Sequence, residues 1–234
     1  MKILSIECSA GPASCSIIEE GKIKASAFTN ARLTHSQTLM PMIVNMLDNS
    51  ATKLSDIDCI AIAVGPGSFT GLRIGISAVK GLAAPTNIPC IPVSTLAAMT
   101  EQFKDRDCIV CAVMDARCNQ FYNALFDISN NNITRLCEDR ALLGDELKDE
   151  INKLQTEKPI IICGDGADLF YKSVCDISNV VLAPEHLKFQ SATGVGMFAF
   201  KNANNTIPCE NLLPVYLRLP QAERELKAKT EAKK

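Results

Sequence analysis

Histidine is nearly missing from this chain: His35 and His186 are the only two in 234 residues, about 150 positions apart. So distant a pair makes no His-x-x-x-His motif and completes no Cys/His cluster, so no zinc or iron site is expected. It also supplies no Ser-His-Asp or Cys-His set for nucleophilic catalysis. Neither sign of charge dominates: 24 Lys and Arg face 26 Asp and Glu, giving a net charge of −2. That removes a general pull toward nucleic acid or an anionic membrane. Five cations (Arg224, Lys227, Lys229, Lys233, Lys234) crowd the last fourteen residues, but three glutamates dilute them, so a frayed, solvated tail is expected from about residue 221. No apolar run reaches membrane length, and Ile3 to Ile6 before Glu7 is too short for a signal peptide. A cytoplasmic location is the expectation.

Cysteine, by contrast, is plentiful: eleven, scattered through apolar runs such as those around Cys59, Cys108, Cys111 and Cys163. In such runs free cysteine behaves as a small hydrophobe, and buried thiols in a reducing compartment are expected. Cys108 and Cys111 form a CxxC pair on a predicted strand, where residues three apart face opposite sides.

The most informative segment is Gly65-Pro66-Gly67-Ser68-Phe69-Thr70-Gly71-Leu72-Arg73-Ile74-Gly75. It links an apolar strand, Ile57 to Val64, to a helix from about Ser68 to Ala84. A strand, a glycine turn and a helix N-terminus make an anion cradle. Yet no Gly-Lys-Ser/Thr closes a P-loop, and Pro66 breaks the dinucleotide fingerprint. Gly71, Gly75 and Gly81 each cost the helix about 1 kcal/mol against alanine, so something must approach it closely: a phosphate, a substrate or another helix.

With 47% apolar residues the chain can build one large domain or two small lobes. Strands are expected at Lys2 to Glu7, Ala13 to Ile18 and Lys22 to Phe28. A helix follows from His35 with Thr34 and Gln37 as a capping box, then the glycine segment, a strand at Cys90 to Val93 and a helix opening at Ser94. From Cys108 the order repeats: strands at Cys108 to Val113, Gln120 to Asp127 and Ile133 to Cys137, a helix capped by Asp145, a strand at Pro159 to Cys163, a helix after Gly164-Asp165-Gly166, a strand near Val181 and a helix from Ser191. The pattern βββαβαβα, written twice, gives an α/β chain with lobes at 1–104 and 105–234.

The glycine segment resembles the signature of the TsaB (YeaZ) family. His35-Ser36-Gln37 through Leu39 and Pro41, Met114-Asp115-Ala116-Arg117 and Pro214-Val215-Tyr216-Leu217-Arg218 match it as well. The resemblance runs nearly end to end. It implies the two-lobed actin/Hsp70/sugar-kinase-like (ribonuclease H-like) fold and a non-catalytic role in placing threonylcarbamoyl on the adenosine next to the tRNA anticodon. The implied partners are the catalytic subunit TsaD and the ATPase TsaE, with tRNA met only through the complex. TsaD carries a His-x-x-x-His metal motif, and its absence here selects TsaB.

In actin-like folds the first hairpin and an opposing glycine loop hold a nucleotide. The matching weak candidates are Glu7 and Ser9, and Gly164 and Gly166; no cofactor is assigned, and an ordinary hairpin and an Asp165 N-cap are the structural alternatives. Asp115 and Arg117 read as an anchor near the cleft or a surface ion pair, and Arg218 as the partner of a carboxylate. Leu39 to Leu47 is apolar on nearly every side, as a helix buried on two faces is. Met40, Met42 and Met46 suit an adaptable contact, and Gly71 and Gly75 a groove. The resemblance implies that two such helices join those of TsaD in a four-helix bundle. The interface residues expected are Leu39, Met40, Ile43, Met46, Leu47, Gly71, Leu72, Gly75 and Ala78. A homodimer through the same helices, and a small-molecule kinase or peptidase of the same superfamily, stay open.

Overall fold

The structure is a computed structural model that describes residues 1–31 and 33–218; the tail expected to fray lies outside the described residues. The first sheet holds β1 (Lys2–Glu7), β2 (Ala13–Glu19), β3 (Lys22–Thr29), β4 (Cys59–Gly65) and β5 (Cys90–Ser94) in the order β3-β2-β1-β4-β5. Helices α1 (His35–Asn49) and α2 (Phe69–Ala83) lie on one face, with Leu39, Ile43, Met46, Ile76 and Val79 packed on Leu4, Ile6, Ile60 and Ile62. A short α3 (Thr95–Thr100) leads out, its start fixed by Ser94 Oγ accepting Ala97 N–H at 3.2 Å. That bond satisfies one of the donors a helix start leaves free.

The second sheet holds β6 (Cys108–Asp115), β7 (Gln120–Ser129), β8 (Asn132–Arg135), β9 (Arg140–Leu143), β10 (Ile160–Cys163) and β11 (Val180–Leu182). α4 (Gly144–Lys153) and α5 (Ala167–Val174) cover one face through Leu147, Ile151 and Phe170. Cys108 and Cys111 point into different clusters on the two faces of β6. A one-turn α6 (Glu185–Lys188) follows, and then α7 (Ala192–Lys201). α7 crosses back to the first sheet, where Val195 and Ala199 pack on Ile3, Ile18 and Ala61. The two-lobed actin-like architecture is therefore present, with α7 packed on the first lobe although it follows the second sheet in the chain.

Two caps differ from expectation. Thr34 stands at the N-cap of α1 but its side chain caps nothing. Helix α4 begins one residue before Asp145, and Glu146 Oε2 accepts Leu143 N–H at 2.9 Å instead. The strand β9 had no sequence signal: Arg-Ala-Leu-Leu has helical rather than β composition, and its pairing with β7 decides its state.

Candidate functional site

What approaches the first turns of the glycine-rich helix is the chain itself, while Gly81, expected to be approached as well, would find nothing within 4 Å of a Cβ. β4 ends at Gly65, whose φ of +133° is open to glycine, and a Cβ there would strike the Val215 carbonyl. Val215 N–H donates to Val64 O at 2.8 Å, so the returning chain lies across the end of β4. Ser68 N–H, one of the amides of the expected cradle, donates to Ser9 O at 2.6 Å. A Cβ on Gly71 would strike the Cys8 carbonyl, and one on Gly75 would strike Cys8 Sγ and reach Ile62 Cδ1 at 3.0 Å. The loop thus seats the Cys8-Ser9 turn and gives it one of the amides of the expected cradle. Neither Gly71 nor Gly75 offers a groove to a partner helix.

The expected phosphate residues are also enclosed. Glu7 is 1% exposed; Oε1 accepts Ser9 N–H at 2.5 Å, while Oε2 and Ser9 Oγ have no partner. Burial pushes the Glu7 carboxyl up to about 7, and Asp165 across the lobe junction pushes the same way. Asp165 is itself raised to about 6, first by burial, although Gln190 Nε2 donates to its Oδ1 at 2.7 Å. So Asp165 does not cap α5; Gly166 stands there, without a side-chain bond. The Gly-x-Gly spends its bareness on β6, since a Cβ on Gly164 would strike Val113 O and one on Gly166 would lie 2.8 Å from Asp115 N. Gln190 was missed in the sequence: a glutamine 25 residues beyond Asp165 leaves no local signal.

All four signature segments meet around this turn. His35 Nε2 bonds Ala10 O at 2.7 Å, a packing and bridging role. Tyr216 stacks on Phe69, 4.2 Å between ring centroids, and accepts Arg73 Nε–H at 2.8 Å. Arg218 donates to the carbonyls of Ala116 and Arg117, not to a carboxylate as expected, because the hairpin after β6 turns its carbonyls toward the returning chain. Asp115 and Arg117 make a 3.6 Å ion pair with Arg117 80% exposed, worth ~0–1 kcal/mol. Among the described residues no three His, Cys, Asp or Glu side chains are grouped to hold a metal ion.

The interface residues divide by burial. Leu39, Ile43, Met46 and Leu72 are core side chains of their own lobe, and Gly71 and Gly75 are sealed by Cys8. These six are committed to packing within their own lobe, although Leu39 also reaches the floor of the groove between the helices. Met40 is exposed, Leu47 and Ala78 half-buried. Val44, absent from the expected set, is 49% exposed. A groove of about 380 Å³ runs between the helices, lined by Ser36, Met40, Arg73, Ile74, Ser77 and Ala78 among others.

The profile of the family described as "TsaD: tRNA N6-adenosine threonylcarbamoyltransferase" matches residues 29–190. The chain is 32% identical over 236 residues to the tRNA threonylcarbamoyladenosine biosynthesis protein TsaB of Escherichia coli, covering 98% of this chain and 100% of that one. Among solved structures it is similar to YeaZ from Pseudomonas aeruginosa, with a TM-score of 0.75 and 26% identity over 92% of this chain and 99% of that one. Component A of the Acidaminococcus fermentans (R)-2-hydroxyglutaryl-CoA dehydratase shares the fold at 11% identity, with a TM-score of 0.53 over 87% of this chain and 99% of that one.

Proposed function

The chain belongs to the TsaB family, and on that premise we propose that it serves tRNA threonylcarbamoyladenosine biosynthesis as a non-catalytic subunit that docks a TsaD-like partner. The docking surface is the outer strip of α1 and α2: Met40 and Val44 on one helix, Ile74 and Ala78 on the other, with Arg73 at its end. That strip is the observation that carries the reading. Met40 and Val44 are exposed and stand outside the core cluster, while Ile74 and Ala78 are half-buried at its rim, so the strip presents apolar surface that the fold leaves open. A TsaE-like ATPase and tRNA would join through the same cytoplasmic complex.

The interior supports a scaffold over an enzyme. A kinase of this fold needs an open phosphate loop, whereas here Ser68 N–H is taken by Ser9 O, and Gly164 and Gly166 lie against β6. A peptidase needs an activated nucleophile. The Cys8 thiol is instead held far above the ordinary range by burial and donates to Gly71 O, while His35 Nε2 is occupied by Ala10 O. A homodimer would use the same strip.

Titration calorimetry against the TsaD-like subunit of the same organism tests the assignment. Burying Val44 or Ala78 at an interface is worth ~1.5–3 kcal/mol for the larger side chain, so Val44→Asp and Ala78→Glu should each weaken binding by about tenfold or more. Both positions reach solvent, so the thermal midpoint should hold. Unchanged affinity in the double variant would remove the helix pair from the interface.

A further inference from the structure

The first sheet treats its two edges differently. At β5, Cys90 and Ile207 exchange backbone hydrogen bonds of 2.8 Å in each direction, so the returning chain pairs with the start of that edge. At β3 the sheet stops, and among the described residues no strand pairs with its outer side. Two cavities flank this open edge, one on each face. On the α7 side a groove of about 930 Å³ is lined by Ile23, Phe28, Leu187, Phe189 and Met197, with Lys22 and His186 also lining it. On the α1 side a second, of about 590 Å³, mixes small, polar and apolar residues, Ala25, Ala27, Thr29, Gln37, Met42 and Asn45 among them. Ser26 borders both. Ile23 and Phe28 are 57% and 51% exposed.

Grooves on both faces of one edge strand leave the space a sixth strand would fill. Its backbone would lie ~4.8 Å beyond β3, and its side chains would enter the two grooves alternately. The charges select its chemistry. The carboxylates of the larger groove are already paired, Glu101 with Lys201 at 2.7 Å and Glu185 with Lys188 at 2.6 Å. Lys22 has no ion pair among the described residues, and Lys24 shares Glu19 with Lys2. Lys24 is also the extra residue where the β2–β3 register shifts. Lysines and a bulge on an edge discourage indiscriminate pairing, but they favour a strand that brings its own carboxylates.

We propose that β3 is a β-augmentation site for an extended segment of a partner protein, about six to eight residues long, in the mode by which peptides add to exposed sheet edges. Its alternate residues are aromatic or aliphatic toward α6 and α7 and smaller toward α1, where polar and apolar side chains both line the groove, and acidic residues lie beside Lys22 and Lys24. A second copy of this chain is a poor occupant. β3 reads Lys-Ile-Lys-Ala-Ser-Ala-Phe-Thr and contains no carboxylate, so edge-to-edge self-pairing brings no new partner to either lysine.

The test uses the full chain and a panel of fluorescent seven-residue peptides that alternate Phe, Ile or Val with Thr or Asn and end in Glu, read by anisotropy and hydrogen exchange. Saturable binding that protects the β3 amides is expected. It should fall by about tenfold or more in Phe28→Asp or in Lys22→Glu/Lys24→Glu, all exposed positions, with the thermal midpoint unchanged. N-methylating the peptide amides of one edge should abolish binding, while methylating the other set should not. Failure of the whole panel to bind, equal binding of scrambled peptides, or indifference to N-methylation would overturn the proposal. So would a concentration-dependent dimer that Phe28→Asp dissolves, since that assigns the edge to a second copy.

Discussion

Replacing Glu7 by Gln probes the lobe junction most directly. The carboxyl ends β1 at 1% exposure, with one oxygen on Ser9 N–H and the other unpartnered. Burial lifts it from 4.5 to about 7. The sign follows from linkage: between those values the folded protein keeps a proton that the unfolded chain has lost. The stabilisation is complete below about pH 4.5 and is lost as pH rises through about 7. At about 1.4 kcal/mol per pH unit, the difference amounts to roughly 3 kcal/mol. Glutamine keeps the shape and can still accept from Ser9 N–H, but it does not titrate. Urea unfolding from about pH 5 to about pH 8 should therefore show wild type losing stability and Glu7→Gln losing much less. The variant should be more stable by about 2–3 kcal/mol at the alkaline end, roughly a 1 M shift of the urea midpoint, and nearly equal to wild type at the acid end. Asp165, raised to about 6 from 3.8, adds a slope of the same sign at lower pH that both proteins retain. Identical pH slopes in the two proteins would refute a buried, proton-holding Glu7.

Three further outcomes are expected. Gly75→Leu drives a branched side chain into Cys8 and Ile62, so it should lower the thermal midpoint or leave the protein insoluble, because core overpacking costs ~1–3 kcal/mol or more; a stable variant with altered association alone would contradict this packing. Thiol titration of the native protein should label Cys118 and Cys175 fast, the half-buried Cys137 and Cys209 slowly, and the seven buried cysteines only after denaturation; mass spectrometry that finds Cys15 or Cys59 modified early would refute it. Tyr216→Phe keeps the stack on Phe69 but removes the acceptor of Arg73 Nε–H, a loss of about 0.5–1.5 kcal/mol, whereas Tyr216→Ala should cost more and raise amide exchange at residues 64–69; equal stabilities would show that the stack contributes nothing.

Much of the architecture was legible because it is written locally. The apolar, β-branched runs of β1, β4, β6 and β10 and the helix starts at Ser68 and Ser94 depend on neighbours a few residues away, and so does the opposite facing of Cys108 and Cys111. The signature segments identified the family for a related reason: each is a short string whose residues act together. The sequence could not say what those residues touch. Gly71 and Gly75 read as a groove for a partner helix, and only the placement of Cys8 beside them shows that they seat the chain itself. Leu39, Ile43 and Met46 looked like half of an interface because helical spacing does not tell one apolar face from another; the sheet beneath decided it. The Glu7–Asp165–Gln190 junction joins three segments from two lobes, and α7 packs on the first sheet though it follows the second in the chain. Such contacts arise only when distant segments close on each other, so burial, charge and orphaned hydrogen-bonding atoms at the site are properties of the tertiary fold.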